Sequence, residues 1–164
     1  MALFGGHRDF SLIKHFNREL INDIAQQEVG YYKLNLEQTD ANIYGESLKK
    51  LYYEPILLNC LIVKQDQAYS VDQFGTDVSQ NISYAFFRED LVDLELKPDI
   101  GDIILWRNNY WEIDSFVENN FFAGKDPDYS LSEDTRNFGG NVSIIVSTHL
   151  ARIDKINLVQ WNTD

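Results

Sequence analysis

Three histidines, one cysteine and a surplus of carboxylates are the residues best suited to chemistry, and their spacing limits what they can do. His7, His15 and His149 show neither the HxxxH nor the HExxH spacing that sets two imidazoles on one helix face for zinc. They read as surface or satisfied core histidines, and no metal or cofactor is expected. Cys60 lies inside the apolar run Ile56-Leu57-Leu58-Asn59-Cys60-Leu61-Ile62-Val63. There a thiol serves as a small buried hydrophobe and not as a nucleophile. As the single cysteine, it also rules out an intrachain disulfide.

The carboxylates offer a nominal acid/base pair, Glu112 with Asp114, read as facing opposite ways along a strand and so unable to flank one bond. Gly5-Gly6 and Gly139-Gly140 lack the further glycines and lysine of a phosphate loop and read as hinges. Asn141-Val142-Ser143 fits the glycosylation pattern, which has no meaning without a secretory signal. No catalytic constellation emerges, and the expectation is a protein that is not an enzyme. The aromatic residues carry more information. Trp111 and Phe116 read as core, whereas Phe121, Phe122, Tyr129 and Phe138 sit in a polar, glycine-containing stretch, residues 118–141. That stretch is too long and irregular for a simple connection, and the four rings are candidate anchors for a neighbouring subunit.

The elements that must position these residues follow from hydrophobic period. Phe10, Ile13, Phe16, Leu20 and Ile24 recur at three- and four-residue steps behind Asp9, predicting an amphipathic helix over 9–28. Residues 1–8 read as a flexible N-terminal arm. Short β runs follow: Tyr31 to Leu36, the strand around Cys60, Ile82 to Phe86, Ile103 to Trp106, Tyr110 to Ile113 and Val142 to Thr148. Residues 65–80 are polar and read as a long loop or hairpin tip, and Arg107-Asn108-Asn109 as the tip of a second hairpin. The expected fold is mainly β: a small barrel or sandwich with an N-terminal amphipathic helix and long loops. One domain over 9–164 is expected, with its barrel from about residue 43.

Composition narrows the partners. The chain has 164 residues, 44% of them apolar, so it can bury a core. Fourteen basic against twenty-six acidic residues give a formal charge of −12, which repels phosphate backbones and tells against nucleic-acid binding. Residues 85–134 hold thirteen acidic and four basic residues, hence −9 of that −12, while the first 33, with four of each sign, are neutral. No apolar run approaches the roughly 18 residues of a membrane span, and neither end has the pattern of a targeting segment. A soluble chain without membrane contact is expected.

Three segments carry a resemblance: Gln27-Glu28-Val29-Gly30-Tyr31-Tyr32-Lys33-Leu34, Ile43-Tyr44-Gly45-Glu46-Ser47, and Ile100-Gly101-Asp102-Ile103-Ile104-Leu105 with Tyr110-Trp111-Glu112-Ile113. In this order the chain resembles the neck proteins of contractile-tailed bacteriophages, the head-completion or head-closure group. Gly101 permits a tight turn, Asp102 can bond its backbone, and the flanking strands fill a barrel wall. The resemblance implies a structural virion protein, made in the host cytoplasm and placed in the neck between capsid and tail. Its implied partners are copies of itself in a hexameric or dodecameric ring, a portal or adaptor ring, and a tail-terminator or other neck protein. Genomic double-stranded DNA would pass through without specific binding. The alternatives are a tail-terminator or baseplate component, or a β-barrel ligand-binding module unrelated to phages. On this reading the far-ultraviolet circular dichroism should be dominated by strand, with a minor helical part, and a chelator should leave the melting temperature unchanged.

Overall fold

The structure, a computed structural model, describes residues 7–36, 50–72, 75–121, 141–151 and 156–157. Helix α1, His7–Glu19, runs into a π-helical turn, Leu20–Ala25. Gln26 ends it in the left-handed region at φ 45°, its N–H donating to the Ile21 carbonyl at 3.1 Å. The strands follow: β1 Gln27–Tyr32, β2 Lys50–Leu51, β3 Ile56–Asp72, β4 Gly75–Phe87, β5 Ile103–Trp106, β6 Asn109–Phe121, β7 Asn141–Leu150 and β8 Ile156–Asn157. A short helix, α2 Arg88–Asp93, separates β4 from β5.

Six of the strands close an antiparallel barrel in the order β1-β3-β4-β7-β6-β5, with β1 pairing back onto β5. Side-chain alternation explains the closure. Val29 and Tyr31, Leu58 and Cys60, Tyr84 and Phe86, Ile104, Trp111 and Ile113, and Ile144 and Val146 all contribute to one buried cluster. The interior is thus filled by large side chains, as expected for a barrel of this size. The parallel pair β2 and β8 lies outside the barrel. Tyr52, just after β2, joins Tyr32 and Ile103 in a second cluster, against which Tyr110 packs.

The helix closes one flank. Ile21 clusters with Phe87 and Val142, and Ile13 and Leu61 pack against them. Polar ties to α2 fix the angle: Asn22 donates to Asp90 at 2.8 Å, and Lys14 and Arg18 pair with Glu89 and Asp90. The barrel, predicted from about residue 43, begins at Gln27 with β1. The helical segment starts at His7 and ends at Ala25, against the predicted 9–28. Of the two readings of residues 65–80, loop or hairpin tip, the hairpin holds: β3 and β4 pair from Gln65↔Ile82 to Asp72↔Gly75. β7 pairs with β4 only as far as Asn81, so six pairs extend past the barrel as a two-stranded ribbon roughly 20 Å long.

Cys60 is fully buried inside the barrel, and desolvation pushes its thiol from an ordinary 9.0 up to about 12. At pH 8 the folded protein should therefore resist thiol-alkylating reagents and react only after denaturation. Because the folded pKa is raised, the stability it contributes is complete below the unfolded pKa. That stability declines as pH climbs from about 9 towards about 12, and alkaline melts should show the decline.

Candidate functional site

The turn before β5 is where the sequence motif becomes geometry. Gly101 takes φ +93°, a conformation that side-chain-bearing residues rarely adopt. Its N–H donates to the Ile113 carbonyl at 3.0 Å, and the Ile113 N–H donates to the Asp102 carbonyl at 2.9 Å, anchoring the turn on β6. The β5–β6 hairpin closes through Arg107 and Asn108, both at positive φ (50° and 61°), the two-residue turn whose twist suits a hairpin.

Asp102 is completely buried. Its carboxylate receives four donors: the Tyr31 hydroxyl at 2.5 Å, the Leu34 N–H at 2.9 Å, the Asp99 N–H at 2.9 Å and the Lys33 ammonium at 3.1 Å. Lys33 also reaches the Lys97 carbonyl at 2.7 Å and Asp99 at 2.6 Å. Tyr52 donates to the Gly101 carbonyl at 3.2 Å. Burial, then the charge and hydrogen bond of Asp102, push the Tyr31 phenol far above its ordinary value of 10.0. Tyr52 is raised as well, by burial first and then by the charges of Glu112 and Asp102.

Three of the four donors converge on Oδ2 and the Leu34 N–H meets Oδ1, so both oxygens are held by the protein itself. The arrangement holds chain segments together, and the completely buried carboxylate is out of reach of a substrate. Its members come from the end of β1, the 99–102 turn and the residues just past β1, so it clasps the place where β1 meets β5.

Of the residues singled out in the sequence, Gly101 and Asp102 form this turn. Trp111 and Ile113 are buried in the barrel, and Tyr110 packs outside against Tyr32 at a ring separation of 6.3 Å. Tyr44, Gly45, Glu46, Phe122, Tyr129 and Phe138 lie outside the described residues, as does the side chain of Phe121, whose backbone ends β6. The expectation that alternation separates Glu112 from Asp114 is corrected. Residues two apart share a strand face, and both point outward, each with its own partner: Lys50 for Glu112 and His149, at 2.6 Å, for Asp114.

Tyr31, Lys33 and Asp99 were not singled out as working with Asp102. The available signal was a lone aspartate beside the apolar run Ile103-Ile104-Leu105, since a charge entering a core needs partners. Among the described residues no group of three or more histidine, cysteine, aspartate or glutamate side chains forms a metal cluster. No described helix is long and apolar enough to cross a membrane.

Fold and site together define the class: a closed six-stranded antiparallel β-barrel with an N-terminal helix and a buried acidic clasp at its seam. No family model matches the chain. No curated protein matches it either. Among solved structures it is similar to a chain of the "Virion of native gene transfer agent (GTA) particle", with 8% identity and a TM-score of 0.49, over 76% of this chain and 94% of that one.

Two tyrosines with opposite surroundings give a paired test. Tyr31→Phe leaves a buried carboxylate short of a donor and should destabilise the fold by about 2–3 kcal/mol. The equally buried Tyr84 hydroxyl has no partner among the described residues. Tyr84→Phe should therefore be neutral or stabilising, by up to about 1 kcal/mol in urea denaturation.

Proposed function

We propose that this chain is a structural subunit of a phage-like virion, a head-closure or connector protein in the neck. The observation that carries the reading is the Gly101–Asp102 turn. The residues with which the chain resembles neck proteins build a turn at +93°, a two-residue hairpin and a barrel wall, all bonded internally. A motif consumed by its own architecture suits a protein that works by shape and assembly. The filled barrel interior tells against the rival reading of a ligand-binding barrel, which requires a cavity.

In this reading copies form a hexameric or dodecameric ring stacked between a portal or adaptor ring and a tail-terminator or other neck protein. The net charge of −12 suits the lumen of such a ring. Carboxylates facing a sliding duplex repel its phosphates, so DNA passes without being held. Residues 118–141, with Phe121, Phe122, Tyr129 and Phe138, would dock on an adjacent subunit or on the next ring.

Replacing Phe121 and Phe122 by serine should leave the barrel folded, by circular dichroism, yet stop heads from joining tails. Lysates should then accumulate free tails and unjoined heads under the electron microscope. A normal yield of infectious particles would sink the assembly role of this loop, and antibody labelling away from the neck would sink the neck position.

A further inference from the structure

Two hairpins rise from one end of the barrel, on opposite walls. β3 and β5 both run antiparallel to β1, so the β3–β4 ribbon and the β5–β6 hairpin leave at the same end. In the closed order β1-β3-β4-β7-β6-β5 the two hairpins are separated by a single strand on either side, β1 or β7. Asn81, His149 and Glu112 form one register row across the wall between them. Beyond that row β6 needs only Trp111, Tyr110 and Asn109 to reach the Arg107–Asn108 turn, whereas the ribbon runs on for six pairs.

The two prongs carry opposite charge. Arg107 is exposed, and its Cζ lies 4.5 Å from the centroid of the Trp106 ring, which is itself buried and meets Tyr84 edge-on. Among the described residues no carboxylate forms an ion pair with it. Stacking orders the guanidinium plane and leaves its N–H groups free to fork onto a carboxylate. On the ribbon side the register places Lys64, Asp66, Asp72 and Asp77 on one face. Lys64 pairs with Asp66, and no further lysine or arginine occurs before Arg88. The far half of the ribbon, with Asp72 and Asp77, therefore has no cation of its own.

We propose that the Arg107 turn of one copy receives the acidic ribbon of the next copy, head to tail; the contact rests on the ring of the neck reading and names one of its surfaces. Charge selects the occupant. Two ribbons brought together set carboxylate against carboxylate, and two turns set arginine against arginine, so of these pairings only ribbon to turn attracts. Topology selects the symmetry. Because the prongs differ and stand on opposite walls, each copy gives its ribbon to one neighbour and its turn to another, the heterologous contact from which rings are built. It lies at the opposite end of the barrel from residues 118–141, into which β6 leads. An exposed ion pair adds little affinity alone, but like charges forced together repel strongly, so charge reversal is the sensitive probe.

Two full-length variants test it, Arg107→Glu and the double variant Asp72→Arg with Asp77→Arg. The unaltered chain should form rings in sedimentation velocity and negative-stain images. Each variant alone should lose them, its association weakened by about tenfold or more with the circular dichroism unchanged. Mixed in equal amounts, the two should restore rings of alternating copies, because every turn then meets a ribbon of opposite sign. Only a contact between molecules can be rescued by mixing. Rings that persist in either variant alone overturn the contact and leave the neck reading standing. Folded variants that fail to assemble on mixing overturn it as well. So does an unaltered chain that stays monomeric at every concentration, the neck position then being judged separately by antibody labelling. Assembly that is rescued by mixing but grows as open filaments supports the contact and overturns the closed ring.

Discussion

The burial of one carboxylate constrains the rest of this molecule. A charge removed from water must be matched by donors or it unfolds its surroundings. Asp102 meets that demand with donors from Tyr31, Lys33, Leu34 and Asp99. Two of these lie just beyond the last residue of β1, and Asp102 itself directly precedes β5. The ladder between those strands has only three register pairs, Gly30↔Leu105, Tyr31↔Ile104 and Tyr32↔Ile103. The barrel's shortest seam is therefore the one fastened by side chains, and closure depends on the aspartate as much as on the ladder.

The fastening explains other choices nearby. Gly101 must turn the chain at φ +93° so that Asp102 enters the core while its carbonyl still serves β6. Lys33 spends its three donors on Asp102, Asp99 and the Lys97 carbonyl, so a buried negative charge has a nearby positive one. Tyr52 donates to the turn itself, which joins the chain around β2 to the outside of the barrel.

Much of this was legible in the sequence, and the parts that were not have physical causes. Period-two alternation marked the core strands around Tyr84 and Val146, a continuous apolar run marked the one around Cys60, and a polar tip between two short β runs marked the one around Trp111. The helix was legible from its three- and four-residue steps, but the π turn was not, since Leu20 to Ala25 continues a helical pattern equally well. α2 is six residues long, too short for a period to emerge. The β3–β4 ribbon was legible only as one of two readings, loop or hairpin tip, because strands that extend past a barrel have no buried face to impose alternation. The Asp102 clasp joins residues about 70 positions apart. A sequence motif records a turn, whereas the donors that fill it are chosen by the fold.

The ribbon has a consequence for how the protein behaves when concentrated. A closed barrel has no free strand edge, but the paired backbone beyond Asn81 has two, and unpaired edges invite strand addition and aggregation. Asp72 and Asp77 fall in this ribbon, and no lysine or arginine lies between Lys64 and Arg88. Copies meeting edge to edge therefore bring like charges together. Colloidal solubility is guarded by two aspartates on the arm, while the barrel guards itself by having no ends to its sheet.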